Sequence, residues 1–501
     1  MTTFSGKPLS SKTANAACGG PQGGGMDSRR NGVAEISPKY LAEVASNAIP
    51  SDYKQTEVGV IPEDWEVKTY GEVFTFLSTS TNSRADLSED GDFGYVHYGD
   101  IHTEWNNKLD LNKERLPRIS KNIVSSAFVM DGDLIMADAS EDYEGIGKTV
   151  EVFNVGEKQI VAGLHTFLLR DKEKVLADGF RGYLHSIPAV KSSFDRLATG
   201  MKVYGISKNN LSSVCIPVPS LEEQTAIANA LSDVDALISE LEKLIAKKQA
   251  IKTATMQQLL TGRTRLPQFA LREDGTPKGT KPSELGEIPE DWVAGYTKEL
   301  IGKMTSGLSR RLADNDIGMP VLISGNIQNY KLETDNLKYW YKNDPQGANT
   351  DDYVLNDGDI LLCFINSLSQ IGKPCIFRDI GRPTIYTTNL FRIVISDNSN
   401  SVFAYYLFST EYFQKNLQTI AKIAVNQASF TKPDFLNSKI VYPPSKEEQS
   451  AIATILSDMD AEIQALEQRL GKTRQIKQGM MQELLTGKTR LIKPSKEVIH
   501  E

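Results

Sequence analysis

The chain has 501 residues, of which 40% are hydrophobic and 24% are charged, and its formal net charge is −8 at pH 7. Its length predicts about three domains, and the absence of a run of about 20 apolar residues excludes a membrane-spanning helix. The acidic balance excludes a protein that coats nucleic acid through bulk positive charge, but it allows a local basic surface.

The first 52 residues differ in composition from the rest of the chain. Residues 1–52 are rich in Gly, Ser and Ala, so we predict a disordered N-terminal extension. The extension lacks the apolar core of a signal peptide, which predicts a cytoplasmic location. Four cysteines form no CxxC pair and five histidines show no metal-ligand spacing. We therefore expect no metal and no cofactor bound by this chain.

Two segments, residues 53–219 and 286–444, share short motifs in the same order. The motifs are IPEDW (61–65 and 288–292), a polar turn (98–101 and 324–327), Asp-Gly-Asp (131–133 and 357–359) and Ile-Gly-Lys (146–148 and 371–373). Short β-rich runs separate them, so we predict two similar α+β domains with small β-sheets. Between these motifs the two segments diverge, as expected of a scaffold that changes its ligand.

A long repeated segment follows each domain. Residues 221–266 align without a gap to 446–491, with 26 of 46 positions identical, which makes the chain a tandem repeat. Each copy begins with Ser-x-x-Glu, the pattern of a capping box, and ends at Thr-Gly. We predict long spacer helices over 220–266 and 445–491, each about 60 Å long. A linker at 267–285 and a tail at 492–501 complete the chain.

Apolar residues recur in both segments at alternating spacings of four and three, which predicts a coiled-coil seam between the two helices. The predicted helix-pairing residues are Ile227, Leu231, Val234, Ile238, Leu241, Ile452, Leu456, Met459, Ile463 and Leu466. Each segment is acidic in its first half and basic in its second half. Antiparallel pairing with a pseudo-twofold axis places opposite charges together, although the same polarity also suits the dipole of a single helix.

These motifs together resemble the specificity subunit of type I restriction-modification systems. The resemblance rests on the paired EEQ…LSD…LLTG(R/K)TRL helices, the IPEDW domain starts and the domain-helix-domain-helix order, and it covers about residues 53–491. It implies two target-recognition domains that each read one half of a split site on double-stranded DNA, with the helices fixing the gap. Because the two domains differ, the target is expected to be asymmetric.

The resemblance also implies partner proteins that carry out the chemistry. Two methyltransferase subunits are expected to dock on this chain, and restriction and translocase subunits are expected to join them. S-adenosylmethionine, ATP and Mg²⁺ are then expected on those partners. The chain contains no Asn-Pro-Pro-aromatic sequence and no glycine-rich turn for S-adenosylmethionine, so we predict that it has no catalytic residues of its own. The Gly147-Lys148-Thr149 sequence lacks the first glycine of a phosphate-binding loop.

Amide, hydroxyl and lysine side chains suit contacts with base edges and phosphates, and they are frequent just before each long helix. The predicted DNA-binding residues of the first domain are Tyr98, Asp100, Lys148, Lys202, Tyr204, Ser207, Lys208, Asn209 and Asn210. Those of the second domain are Ser324, Asn326, Gln328, Asn329, Lys373, Asn426, Gln427, Ser429, Thr431 and Lys432. A solvated loop is the plainer interpretation of both segments.

Two other functions are compatible with parts of the sequence. The chain could be a coiled-coil scaffold whose variable domains bind proteins, and the acidic net charge favours testing this. It could also be an enzyme with a fused methyltransferase or nuclease, but the motifs for either are missing. We favour the DNA-recognition function.

Overall fold

A computed structural model describes residues 49–200, 202–425 and 427–492 of the chain. The chain divides into two compact units, one formed by Met1–Ala230 with Met480–Glu501 and the other by Leu231–Gly479. The predicted N-terminal extension lies outside the described residues up to residue 48, as does the tail after residue 492. Within the described ranges, no helix is both long and apolar enough to cross a membrane.

The first domain is built on a five-stranded sheet and a three-stranded sheet. In spatial order the five strands are Phe74–Leu77, Thr166–Asp171, Leu134–Ala137, Thr149–Phe153 and Lys108–Asp110, and the last pairing is parallel. The three strands are Ile160–Ala162, Phe93–Val96 and Arg118–Ile119. All four residues of the central strand Leu134–Ala137 are buried, so this strand forms the middle of the core.

The second domain repeats this arrangement. Its four-stranded sheet has the order Ile301–Ser306, Leu390–Ile395, Ile360–Cys363 and Pro374–Ile376, and its three-stranded sheet has the order Lys338–Trp340, Met319–Leu322 and Ile385–Tyr386. The central strand Ile360–Cys363 is again buried throughout. The predicted α+β class and the predicted tandem repeat are confirmed.

The Asp-Gly-Asp motifs are turns that lead into these central strands. The Asp133 carboxylate accepts hydrogen bonds from Arg170 at 2.7 and 2.8 Å, and Asp359 forms an ion pair with Arg392 at 2.6 Å. Both aspartates are buried, and an arginine compensates each charge. Among the described residues, no group of three or more His, Cys, Asp or Glu side chains could hold a metal ion.

The two long helices span Leu221–Leu260 and Lys446–Leu484, and we call them the first and second long helix. The Ser220 and Ser445 hydroxyls accept hydrogen bonds from the backbone amides of Glu223 and Glu448. The second half of the predicted capping box is wrong, because the Glu223 and Glu448 carboxylates bind other partners. Gly262 ends its segment in the left-handed region, with φ of +71°, as the sequence predicts.

Within the second unit the two long helices pair antiparallel. Lys252 contacts Asp460 at 2.5 Å and Lys248 contacts Glu462 at 2.6 Å. Further along, Glu242 contacts Arg474 and Asp235 contacts Lys477, each at 2.6 Å. As residue numbers fall along the first long helix, the residue numbers of their partners on the second long helix rise. The helices are therefore antiparallel, as the charge pattern predicts.

Six of the ten predicted pairing residues are buried and the other four are half-buried. The buried residues are Ile227, Leu231, Leu241, Ile452, Leu456 and Ile463, and the half-buried ones are Val234, Ile238, Met459 and Leu466. In the second unit, Ile452 and Leu456 share one hydrophobic cluster with Leu259 and Leu260, the last residues of the first long helix. The seam therefore joins the helices and also anchors them to the second domain.

An arginine near the end of the described chain joins three repeated motifs of the first unit. Arg490 donates to Glu223 at 2.6 and 2.8 Å and to Asp64 at 2.7 and 2.9 Å. The Trp65 indole N–H donates to the same Glu223 at 3.0 Å, and the guanidinium carbon lies 5.9 Å from the Trp65 ring centroid. The hydrogen bond from Arg490 is the main reason why the pKa of Asp64 is lowered. We call this group the first arginine clamp.

The second unit contains the same group, the second arginine clamp. Arg265 donates to Glu448 at 2.8 and 2.9 Å and to Asp291 at 2.7 and 3.2 Å. The Trp292 indole N–H donates to Glu448, at 3.4 Å. Burial alone would raise the pKa of Asp291, but Arg265 and Lys278 outweigh it and lower this pKa to about 2. Each clamp thus uses the Asp-Trp of an IPEDW motif, the second Glu of an EEQ motif and the Arg of a TRL motif.

Replacing Arg490 with alanine is expected to destabilise the first unit strongly. Glu223 is 1% exposed, and removing its partner leaves a buried carboxylate without a cation, which costs about 3–5 kcal/mol in comparable cases. The free energy of unfolding can be measured by urea denaturation. Arg474→Ala is the matched control, because its pair with Glu242 is exposed and we expect a loss of about 0–1 kcal/mol. Equal losses in the two variants would contradict the structural role of the clamp.

Candidate nucleic-acid interface

Each domain carries a short hairpin just before its long helix, where the sequence predicts DNA contacts. In the first domain Thr199 bridges to Gly205 to form the hairpin, and Tyr204–Gly205 also pairs with Ala139–Ser140, directly after the central strand. In the second domain Ala428–Ser429 pairs with Lys422–Ile423 and with Ile365–Asn366. The hairpins therefore bring the segments before the helices next to the loops that follow the central strands.

The first hairpin and the helix after it present basic and aromatic groups. Lys202, Lys208 and Asn209 are exposed, and the Tyr204 ring packs on Tyr143 with centroids 3.9 Å apart. Ser207 also caps a helix, because its hydroxyl accepts a hydrogen bond from the backbone amide of Asn210 at the start of the helix Lys208–Ser212. These side chains form a mixed basic and aromatic surface, which suits contacts with phosphates and bases.

The Tyr98 turn of the first domain forms the short helix Tyr98–Thr103. Asp100 in this helix is ion-paired with Arg84. Lys148 is turned inward, because its ammonium donates to the backbone oxygen of His102 at 2.9 Å, and burial lowers its pKa. Of the predicted contacts in this region, Tyr98 and Asp100 thus share one turn, whereas the Lys148 ammonium binds the protein backbone.

A group of histidines around Tyr98 was missed in the sequence. The Tyr98 ring centroid lies 4.6 Å from that of His97, 5.5 Å from His165 and 6.1 Å from His102. His165 in turn contacts the Asp138 carboxylate at 3.4 Å. Three of the five histidines of the chain thus meet at one place, although none of the spacings between them matched a known motif. None of the motifs found in the sequence indicated that these histidines lie together.

The corresponding turn of the second domain is mainly structural at its centre. Asn326 is buried, and its amide donates to the backbone oxygens of Glu333 and Asn336 at 2.9 and 3.3 Å while accepting from the Ile323 amide. No free edge of this amide remains for a base. Ser324 is half-buried, whereas Gln328 and Asn329 are exposed beside it.

Except for Lys373, the remaining predicted residues of the second domain lie in or directly after its hairpin. Gln427 is exposed and Ser429 is half-buried, while Asn426 lies outside the described residues. The Thr431 hydroxyl begins the helix Lys432–Leu436 by accepting the Asp434 amide. Lys432 donates to the backbone oxygen of Met304 at 2.6 Å, and Lys373 donates to Gln370 at 2.9 Å. Their contact with DNA stays a prediction.

Most of the chain matches one protein family. Residues 62–253 and 303–478 match the type I restriction modification DNA specificity domain. The type I restriction enzyme MjaVIII specificity subunit of Methanocaldococcus jannaschii is 28% identical over 86% of this chain and 94% of its own length. The putative type I restriction enzyme MjaX specificity subunit of the same organism is 35% identical, over 41% of this chain and 48% of its own length.

A solved structure shares the fold. The crystal structure of the type I restriction-modification system S subunit from M. genitalium aligns with a TM-score of 0.51 at 13% sequence identity. The alignment covers 84% of this chain and 96% of that chain. At this identity the likeness supports the repeated two-domain, two-helix fold.

Two lysines of the first domain are expected to respond differently to substitution. Lys202→Ala should remove one phosphate contact. A plot of the logarithm of the DNA-binding constant against the logarithm of the salt concentration should then be less steep by about 0.9. Lys148→Met should leave that slope unchanged, because the Lys148 ammonium is bound to the backbone of His102. Binding of the full chain to duplex DNA, measured at several salt concentrations, checks both. A larger change of slope for Lys148→Met would contradict this assignment.

Proposed function

The chain belongs to the type I restriction-modification DNA specificity subunits, and we propose that its two recognition domains each read one half of an asymmetric split DNA target. The observation that carries this proposal is the repetition of one backbone frame with different exposed side chains. The turns at Tyr98 and Ser324 occupy the same place in the two domains, as do the hairpins at Tyr204 and Ala428. Two frames of one kind with different side chains suit two different half-sites.

The long helices are proposed to set the number of unread base pairs between the half-sites. Forty residues of α-helix span about 60 Å. This length is compatible with two readers on one face of DNA, separated by one or more turns of the double helix. The antiparallel ion pairs and the two arginine clamps make the helices suitable as a stiff spacer.

We propose that two methyltransferase subunits dock on this chain and that restriction and translocase subunits join the complex. S-adenosylmethionine, ATP and Mg²⁺ would then bind to those subunits, the chain itself would be non-catalytic, and the complex would act on DNA in the cytoplasm. Docking on the first long helix is supported by a stripe of exposed apolar residues. Leu237, Leu244 and Ile251 are 38–41% exposed and recur every seven residues, the spacing of a face that packs on another helix.

The proposed function predicts a methylation motif that depends on this chain. Methylated adenines should be mapped in cells that contain the presumed methyltransferase subunit, with and without this chain. We expect one two-part asymmetric motif that disappears without the chain. Replacing residues 53–219 with the corresponding domain of a relative should change one half of the motif only. If no motif depends on the chain, the scaffold function gains support instead.

The proposed docking face predicts loss of association with the methyltransferase subunit. Leu244→Glu places a charge in an apolar contact and removes burial worth about 1.5–3 kcal/mol, so we expect binding at least tenfold weaker by calorimetry. Gln257→Glu is the matched control, because it adds the same charge at an exposed position outside the stripe. Equal affinities for the two variants would place the docking face elsewhere.

A further inference from the structure

Two loop positions of the first domain have counterparts in the second that make the same backbone hydrogen bonds, and their side chains differ. Asp138 follows the central strand Leu134–Ala137, and Phe364 follows the central strand Ile360–Cys363. The Asp138 carbonyl accepts the amide of Ile206 at 2.9 Å, and the Phe364 carbonyl accepts the amide of Phe430 at 3.3 Å. Asp138 and Phe364 therefore occupy equivalent places at the base of each hairpin.

The second pair of equivalent positions is His165 and Asn389. Each stands just before the strand that pairs with the central strand. The His165 carbonyl accepts the amide of Asp138 at 3.1 Å, and the Asn389 carbonyl accepts the amide of Phe364 at 3.2 Å. A carboxylate beside an imidazole in one domain thus corresponds to a phenyl ring beside an amide in the other.

His165 has a left-handed backbone conformation, and its side chain contacts Asp138. Its φ is +57°, in the left-handed region that histidine, asparagine and aspartate adopt more often than other residues with a side chain. The Tyr98 ring meets the imidazole nearly edge-on, with an interplanar angle of 79°. The imidazole Nδ1 lies 3.4 Å from Asp138 Oδ1, and the two side chains remain 50% and 26% exposed.

The surroundings of Asp138 favour a neutral hydrogen-bond donor as its external partner. Asp138 is the residue before Ala139–Ser140, which pairs with the Tyr204 hairpin, and exposed Lys202 belongs to that hairpin segment. Burial raises the pKa of Asp138, and His165 opposes this effect. A carboxylate on a DNA-facing surface is repelled by phosphates, and its favourable direct contact is a hydrogen bond accepted from a base. In the major groove, cytosine presents its N4 amino group without a neighbouring acceptor on the same base, which makes it the base that carboxylates match.

We propose that Asp138 is a specificity-determining residue that accepts a hydrogen bond from the N4 amino group of a cytosine in the half-site read by the first domain. His165 is a positioning residue, which donates from Nδ1 to the carboxylate and fixes its direction. The second domain has no such group, because Phe364 and Asn389 stand at the equivalent places. Its half-site is therefore read by other chemistry. This inference rests on the proposed function and adds one base and one residue to it.

The test compares methylation motifs of cells expressing the full chain, or its variants, with its methyltransferase subunit. The exchange of residues 53–219 first identifies the half-motif that belongs to the first domain. That half should contain a fixed C·G pair. Asp138→Asn replaces an acceptor with an amide of the same shape, and we expect the preference for cytosine at that one position to fall about tenfold or more, with the other positions retained.

Two His165 variants separate positioning from folding. His165→Ala removes the donor and should relax the same single position as Asp138→Asn. His165→Asn keeps a donor near the place of Nδ1 and tolerates the left-handed backbone, so it should restore the preference. Glu66→Gln, which removes an exposed carboxylate paired with Lys68 in the same domain, should leave the motif unchanged.

Several outcomes would overturn the proposal. They are a first-domain half-motif without a fixed C·G pair, an unchanged motif for Asp138→Asn, or an equal weakening of every position in that variant. Each of them leaves a motif that depends on the chain, so the proposed function would stand. Loss of any chain-dependent motif in the unmodified protein would instead refute the proposed function.

Discussion

The buried contact between an arginine, a glutamate and a Trp-Asp pair is the interaction on which both halves of this molecule depend. In each unit it fixes the start of a recognition domain, the start of one long helix and the end of the other segment to a single point. Such a contact needs all its members, because a buried carboxylate is stable only with its cation. This explains why three short motifs that lie far apart in sequence are repeated together.

The glutamine that follows the clamp glutamate binds the start of each long helix to a loop of its domain. Gln224 accepts the Ala177 amide at 2.7 Å and donates to the Val175 and Pro219 carbonyls. Gln449 accepts the Asn400 amide at 2.8 Å and donates to the Pro443 carbonyl. The EEQ motif thus binds the helix to the clamp through one residue and to a domain loop through the next. The loops that face outward are left free to differ between the domains.

Local chemistry made the helices, their ends and their direction predictable from the sequence. Proline-free amphipathic runs, glycines suited to the left-handed region and opposite charges along each helix all act over a few residues. The partner of the Glu223 carboxylate was not predictable in this way. This carboxylate suits a capping box, but it binds Arg490, which lies 267 residues later in the chain. The contact between Asp138 and His165 and the burial of Asn326 were not predicted either, because both depend on how the chain folds. Assignments of exposed polar residues from composition therefore stay predictions.

The first arginine clamp also has a consequence for the order of events during synthesis. Asp64 and Arg490 are 426 residues apart, so a ribosome adding about 5–20 residues per second makes the first partner roughly 20–85 s before the second. Arg265 and Glu448 are only 183 residues apart, and their clamp can close earlier although it belongs to the later domain. Until translation is nearly finished, the Asp64 and Glu223 carboxylates of the nascent first domain therefore lack their arginine. A chain that terminates before Arg490 would keep a buried glutamate without its cation, so its first unit would lack the stabilisation that the clamp provides.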